Sequence, residues 1–183
     1  MGVVAYFTAE IGLWSELHTY SGGLGVLAGD HVKSAADDEL PLVGVTLLYR
    51  RGYGRQHLDK NGIQTETYRD LDPAKHLKDT GVILSLPLDG TELLARVWKA
   101  EIKGVTGHTV PVFFLDTFHP ENSERHLNLG LTLYGGDDWV RIRQEYLLGV
   151  GGLRLLDQLG HDVDGLHLNE GHCTFALLEI CLL

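Results

Sequence analysis

The chain has 183 residues, of which 44% are apolar, and a formal net charge of −10. This composition predicts one globular domain, or slightly more, with a real hydrophobic core. The acidic balance excludes a nucleic-acid backbone as the expected partner, because such a partner needs a basic face. Residues 3–7 are too short for the core of a secretory signal, and no apolar run is long enough to cross a bilayer. We therefore predict a cytoplasmic protein.

The first third of the chain predicts a strand, a helix and a second strand. Residues 3–7 and 42–49 are apolar and rich in β-branched side chains, as buried strands are, and residues 20–36 combine a glycine-rich turn with a helical pattern. This order favours a parallel crossover unit. Residues 50–56 then concentrate arginine, glycine and an aromatic side chain. They form either the lining of a polar pocket or a hairpin turn with exposed arginines.

The middle third predicts antiparallel structure. Residues 63–68 alternate weakly, as an edge strand does, and residues 82–88 and 93–100 flank an Asp89-Gly90 turn, as in a hairpin. Residues 110–116 form another strand that ends in Asp116. We therefore expect a β-rich insertion at about 62–118 in an α/β core formed by about 1–58 and 137–183.

The last third predicts a long helix and a second strand-to-helix junction. Asp137 begins a helix that runs to about residue 159, and glycines at 149, 151 and 152 indicate either a kink or a close packing neighbour. Residues 165–168 predict a short strand, and 173–183 a helix. Cys173 and Cys181 stand eight positions apart on that helix, about 12 Å in rise, so we expect two reduced thiols.

The glycine loop, residues 22–25, is the most informative stretch. Gly22, Gly23 and Gly25 surround Leu24 immediately before the helical pattern. Glycine lets a ligand approach the main chain, and a helix start presents free N–H groups with a partial positive charge. The loop is therefore either a cradle for a phosphate or phosphosugar, or a tight turn that closes a strand–helix unit.

Other chemistry finds less support. Glu10 follows the first strand and is either a site residue at the sheet edge or a solvated loop acid. The irregular spacing of His161, His167 and His172 predicts no metal site. Cys173 is better explained as a small buried residue than as a nucleophile. Glu10, Asp116 and Glu170 could supply two carboxylates for glycoside hydrolysis, but their separation is open.

Six motifs in register resemble α-glucan phosphorylases of the short bacterial and archaeal type. The resemblance covers almost the whole chain, and the motifs are residues 6–10, 20–33, 41–52, 133–137, 143–145 and 167–172. Starch and glycogen synthases share the Gly-Gly-Leu-Gly loop but lack the Leu-Asn-Glu-Gly-His and Arg-x-Gln-Glu stretches. They are the alternative family.

The resemblance implies a Rossmann-like parallel sheet within a two-domain GT-B glycosyltransferase. It also implies phosphorolysis of an α-1,4-glucan or maltooligosaccharide by inorganic phosphate to glucose 1-phosphate, supported by the phosphate group of pyridoxal phosphate. Gly22 and Gly23, within the loop that ends at Gly25, would donate N–H groups to the substrate phosphate, and Leu24 would pack against the sugar. His172 would contact the transferred glucosyl unit, with Asn169 and Glu10 in the same pocket.

The sequence departs from the family at His18-Thr19, at residues 37–39 and in length. The lysine that holds pyridoxal phosphate and the basic residues that grip phosphate belong to the family's second half, so we expect this N-terminal portion to be inactive alone. A free-standing glucan- or phosphosugar-binding module and a module that pairs with a separate chain remain alternatives. The apolar end, residues 177–183, favours either a truncated fold whose continuation would bury it or a self-association that covers it.

Overall fold

The computed structural model describes residues 2–181 as an α/β structure. Its strands are β1 (Val3–Thr8), β2 (Leu42–Leu47), β3 (Arg55–Leu58), β4 (Gln64–Thr67), β5 (Lys78–Leu88), β6 (Thr91–Lys103), β7 (Thr109–Asp116) and β8 (Val163–Asn169). Its α-helices are α1 (Gly23–Asp37), α2 (Glu124–Leu129), α3 (Asp138–Tyr146), α4 (Gly152–Gln158) and α5 (Phe175–Ile180). Each strand and helix predicted from the sequence has a counterpart among these elements.

A six-stranded sheet in the order β5-β6-β7-β2-β1-β8 organises the fold. β1 is parallel to both of its neighbours, β2 and β8, and β2 is also parallel to β7. The predicted parallel crossover from the first strand to the second is therefore confirmed. All six residues of β2 are buried, as expected for a central parallel strand covered on both faces.

The antiparallel strands extend this same sheet. β5 and β6 form the predicted hairpin around Asp89 and Gly90, whose φ angles of 54° and 76° suit a tight two-residue turn. β6 then pairs antiparallel with β7. The residue boundaries that we assign to the core and to the insertion stay a prediction.

The edge strand expected at residues 63–68 is present, and it lies outside the six-stranded sheet. Gln64–Thr67 pairs with Arg55–Leu58 in a separate two-stranded ribbon, whose residues are all exposed. Because these side chains carry no apolar face that the main sheet could bury, their weak alternation does not place them in it.

Helix α1 covers one face of the sheet. Its buried side is made of small residues and one valine at helical spacing: Gly25, Ala28, Gly29, Val32, Ala35 and Ala36. These small residues let the helix backbone approach the strands closely, and they pack with Tyr6, Val112 and Phe114 of the sheet. The predicted helical pattern after the glycine loop is confirmed.

The other face is covered by α3, α4 and α5. Asp137 caps α3 by accepting a hydrogen bond from the Val140 amide, and a π-helical turn, Leu147–Gly151, joins α3 to α4. A Cβ on Gly149 would collide with the backbone of Phe175 and Ala176. The predicted close neighbour is therefore confirmed at Gly149, and the helix departs from regular α geometry in the same segment.

Helix α5 leaves apolar side chains at the surface. Leu177, Leu178 and Ile180 are about half exposed, and residues 182 and 183, on which the predicted apolar end also depends, lie outside the described residues. Self-association through this end stays a prediction. Among residues 2–181, no helix combines the length and apolarity that crossing a membrane would require.

Candidate functional site

Two strand-to-helix junctions meet at the carboxyl ends of β1 and β8. The two strands are paired up to Thr8 and Asn169, and the Asn169 side chain donates a hydrogen bond to the Thr8 hydroxyl at 3.1 Å. The chain after β1 leads through a loop to the glycine loop and α1, and the chain after β8 leads through a short 3-10 turn to α5. Ligands of open α/β sheets bind at this edge.

The glycine loop has an open side. Gly22 and Gly23 are exposed, and a Cβ added to either would meet no atom within 4 Å. Among the described residues, the amides of Gly22, Gly23 and Leu24 have no hydrogen-bond acceptor, whereas the Gly22 carbonyl accepts from Val26. The N-terminus of a 15-residue helix therefore presents free donors to an open space.

Gly25 lies on the closed side of the same loop. It is buried, and its carbonyl accepts a hydrogen bond from the Gly12 amide at 2.8 Å. A Cβ at this position would collide with Tyr20 and approach the Glu10 carboxyl group. Gly25 therefore allows the loop to pack, and its predicted contact with substrate stays a prediction.

Glu10 supports the glycine loop from behind. Its side chain is buried, and it accepts hydrogen bonds from the Ser21 amide at 2.6 Å and from the Tyr134 hydroxyl at 3.2 Å. Burial and the neighbouring Glu10 carboxylate raise the pKa of Tyr134 to about 12, so its hydroxyl stays a donor. The alternative of a solvated loop acid is thus wrong, while a role of Glu10 in binding substrate stays a prediction.

The second junction holds a strained backbone. Glu170 has φ 71° and ψ 175°, a region in which residues other than glycine are rare. Three positions further on, Cys173 is buried and its thiol donates a hydrogen bond to the Asn169 carbonyl at 3.5 Å. Its complete burial, which raises the pKa of the thiol to about 12, confirms the interpretation of Cys173 as a small buried residue. Both cysteines are free thiols, as expected.

His172 faces a small cavity between the two junctions. Its Nδ1 lies 3.3 Å from a carboxylate oxygen of Glu145, and its ring centroid is 6.0 Å from that of Tyr134. The cavity has a volume of about 20 Å³, which is room for about one water molecule. Its polar lining comes from three different segments of the chain: Tyr49, Tyr134, Arg141, Gln144, Glu145 and His172.

Asp116 has a structural role. It is fully buried at the end of β7, where it forms a two-pronged ion pair with Arg50 and accepts a hydrogen bond from the Trp98 indole at 2.9 Å. Both oxygens are engaged, so the proposed pairing of Asp116 with Glu10 or Glu170 for glycoside hydrolysis finds no support. Arg50 accordingly belongs to this buried pair, and neither to an exposed hairpin turn nor to the His172 cavity.

Tyr134, Glu145 and Thr8 are the contacts that sequence reasoning did not assign. Tyr134 holds Glu10, Glu145 holds His172, and Thr8 holds Asn169. All three lie inside motifs that carry the family resemblance, which is the signal that could have singled them out. Their roles depend on partners 27 to 161 positions away in the sequence, which local patterns do not reveal.

The geometry defines an α/β protein with an open glycine loop and a histidine cavity at the carboxyl edge of its parallel strands. The sequence is 43% identical to a glycogen phosphorylase of Mycobacterium tuberculosis over 190 residues, and 39% identical to a maltodextrin phosphorylase of Thermococcus litoralis over 180 residues. A glycogen phosphorylase of Aquifex aeolicus is 33% identical over 182 residues. No family model matches the chain.

These relatives confirm the predicted relationship: the chain is a homologue of α-glucan phosphorylases, which are enzymes. The matches cover 96%, 94% and 96% of the chain. They cover 21%, 21% and 26% of the three relatives, so the chain spans about a fifth to a quarter of their length.

Proposed function

We propose that the chain forms a phosphate- and sugar-facing wall of an α-1,4-glucan phosphorylase, which cleaves a glucan with inorganic phosphate and releases glucose 1-phosphate. The observation that carries the proposal is the open side of the glycine loop, where the Gly22, Gly23 and Leu24 amides have no acceptor of their own among the described residues. Such fixed donors at a helix N-terminus bind a phosphate without first having to reorganise.

The neighbouring side chains fit the sugar side of this reaction. His172, held by Glu145, would donate to a hydroxyl of the transferred glucosyl unit, and Leu24 would pack on its apolar face. Asn169 is oriented by Thr8 toward the same sheet edge. Glu10 would act through the loop that it supports, because both of its oxygens already accept hydrogen bonds. The predicted GT-B architecture belongs to this proposal.

Pyridoxal phosphate does not fit the described residues. The cavity beside His172 holds about one water, and no lysine is among the residues that line it. The nearest lysine along α1 is Lys33, an exposed residue ten positions beyond Gly23 and thus about 15 Å along the helix. We therefore derive no step through this cofactor from the chain.

Binding of inorganic phosphate tests the loop. A valine at Gly22 or Gly23 would fill the open space while keeping the backbone N–H, so we expect phosphate binding to weaken at least tenfold by calorimetry. Gly165→Ala is the matched control, because its Cβ also meets no atom within 4 Å but lies in β8. Equal phosphate affinity in all variants would contradict the proposal.

Turnover tests the expectation that this portion is inactive alone. With maltoheptaose and phosphate we expect no release of glucose 1-phosphate from the isolated chain, since it lacks the lysine and the basic phosphate-binding residues that the family resemblance calls for. Robust release would overturn this expectation. Glucan binding without phosphate binding would instead favour a non-catalytic glucan-binding module.

A further inference from the structure

A cavity beside the antiparallel strands of the six-stranded sheet has no part in the proposed function. Its volume is about 300 Å³, at the lower end of the range of about 300–1,000 Å³ that is usual for small-molecule pockets. Its lining includes Lys78, Thr80, Lys99, Phe113, Leu159 and His161. None of these residues belongs to the glycine loop or lines the His172 cavity, so this is a separate place in the fold.

The floor of the cavity is a row of three residues on adjacent strands. Lys78 of β5 pairs with Lys99 of β6, and Lys99 pairs with Phe113 of β7. Paired residues point to the same face of a sheet, and Phe113 packs in the core on the face that α4 covers. Leu159 and His161 directly follow α4 and form the wall opposite the lysines.

An irregularity in β5 shapes the outer wall. Asp79 pairs with Trp98 and Ile83 with Arg96, so β5 has two more residues than β6 between these pairs. Gly81, with φ 74°, supplies the positive φ in this segment, and its amide donates to Oδ1 of Asp79 at 2.9 Å. The other carboxylate oxygen of Asp79 is 4.0 Å from the Arg96 guanidinium. The Asp79 carboxylate therefore has partners other than the two lysines.

The two lysines bring more positive charge to the cavity than their neighbours neutralise. Like charges directly opposite each other on neighbouring strands destabilise a sheet. The Lys99 ammonium is 2.6 Å from the Glu101 carboxylate, whereas Lys78 forms no ion pair with any of residues 2–181. The pKa of Glu101 is lowered chiefly by the hydrogen bond and charge of Lys99 and further by the charge of Lys78. One carboxylate is thus shared by two ammonium groups, in a chain whose net charge is −10.

The wall opposite the lysines is apolar. Phe113 is buried, Leu159 is half-buried, and the His161 ring stands edge-on to Phe113 with 5.8 Å between the ring centroids. Burial lowers the pKa of His161 below its usual value, so the ring is neutral near pH 7. The cavity therefore offers a positive end and an uncharged, partly aromatic end.

We propose that this cavity binds a small organic anion that joins a carboxylate or phosphate ester to a flat apolar body. The anionic group lies between Lys78 and Lys99, where it removes the repulsion between the two ammonium groups. The apolar body packs against Phe113, Leu159 and His161. Inorganic phosphate lacks this apolar body, so it should bind the glycine loop in preference to the cavity.

Calorimetric titration with phenyl phosphate, in a chain that carries Gly22→Val, tests the site without competition from the glycine loop. We expect binding to weaken about fivefold when Lys78→Met is added, as the loss of one exposed charge pair predicts. The matched control is Lys103→Met, an exposed lysine on β6 outside the cavity, which should leave the affinity unchanged. Benzoate should show the same dependence on Lys78, because it carries a carboxylate on the same ring.

Thermal unfolding without ligand separates binding from folding. Lys78 is exposed and stands opposite a like charge, so Lys78→Met should melt at or above the temperature of the unsubstituted chain. The site is overturned if Lys78→Met binds phenyl phosphate as tightly as the unsubstituted chain, or if neither chain binds it. Binding of inorganic phosphate that depends on Gly22 would then show that the proposed function stands and that only this inference had failed.

Discussion

The two strand-to-helix junctions present polar groups at the sheet edge in different ways. After β1, the chain exposes main-chain donors at Gly22 and Gly23 and buries the side chain of Glu10 beneath them. After β8, the backbone of Glu170 lies in the left-handed half of φ space, and the polar groups at the sheet edge are the side chains of Asn169 and His172. A junction that exposes main-chain N–H groups needs glycine and a buried side chain that holds the loop. A junction that presents side chains needs a backbone turn that orients them.

Removing the buried support should have the largest effect on the first junction. Glu10→Ala deletes the acceptor for the Ser21 amide and the Tyr134 hydroxyl, and hydrogen bonds to a charged group contribute about 1.5–3 kcal/mol each. We expect the free energy of unfolding to fall by about 3 kcal/mol, measured by urea denaturation.

Two controls sharpen this prediction. Glu10→Gln keeps a carbonyl oxygen as an acceptor and should lose less than half as much stability. Glu16 lies in the exposed part of the same loop, so Glu16→Ala should leave the urea midpoint unchanged. If Glu10→Ala were as stable as the wild type, the loop would not depend on this carboxylate.

Glycines of the same loop should respond differently to one methyl group. Gly25→Ala forces a Cβ into Tyr20, and overpacking of this kind costs about 1–3 kcal/mol. Gly23→Ala places its Cβ in open space at the first turn of α1, where alanine suits a helix better than glycine. We expect the first variant to melt earlier and the second to melt at or above the wild-type temperature; the reverse order would contradict the described packing.

The second junction should gain stability when its strain is relieved. Glu170→Gly removes a side chain from a backbone conformation that costs about 1–3 kcal/mol for other residues. We expect a gain of about 1 kcal/mol in the free energy of unfolding, because the extra freedom of glycine in the unfolded chain offsets part of the relief. Gly171→Ala, next to it and with free space around its Cβ, should change the urea midpoint little.

The smallest effect concerns a histidine pair beside the first junction. The ring of His31 on α1 packs against Tyr6 and His167, and its Nε2 is buried without a partner among the described residues. Burial, and next the neighbouring His167, lower the pKa of His31 below its usual 6.5. The folded state therefore binds this proton less well than the unfolded state does.

Neutral His31 therefore contributes to the free energy of unfolding. This contribution is fully present above pH about 6.5, and it is lost as the pH falls from there through the lower pKa of His31 in the folded state. In urea unfolding at pH 7.5 and 5.5, His31→Leu should lose less stability on acidification than the wild type. The pH dependence of the free energy of unfolding should become weaker without disappearing, because burial also lowers the pKa of His18 and His161. An unchanged slope would contradict this assignment.

The fold was predictable where hydrophobic pattern and turn chemistry agree. The strands around residues 3–7 and 42–49 and the Asp89-Gly90 hairpin combine both signals, and all three are present. The pairing of β4 with β3 was not predicted, because a weak alternation of exposed residues does not specify a partner strand. Likewise, the engagement of Asp116 by Arg50 and Trp98 could not be predicted, since it joins residues 66 and 18 positions apart.

The candidate site was predictable in part. The glycine loop stands out because three glycines open a helical pattern, and Asn169 and His172 stand out because they follow the strand predicted at residues 165–168. Tyr134 does not stand out, because it lies in a loop and its partner Glu10 is 124 positions away in the sequence. Its backbone is in the left-handed region, with φ 57°, which the sequence also does not indicate. Long-range polar contacts of this kind depend on the assembled sheet.

The π-helical turn at Leu147–Gly151 has a consequence for how this chain can vary. Such a turn contains one more residue than a turn of α-helix, so it offsets the two helices it joins by about 100° of rotation. An insertion or deletion within it would rotate Glu145 away from His172, or Leu155 and Leu156 out of the core, although no side chain would be replaced. The number of residues in this segment therefore constrains the fold as tightly as the identity of its buried side chains does.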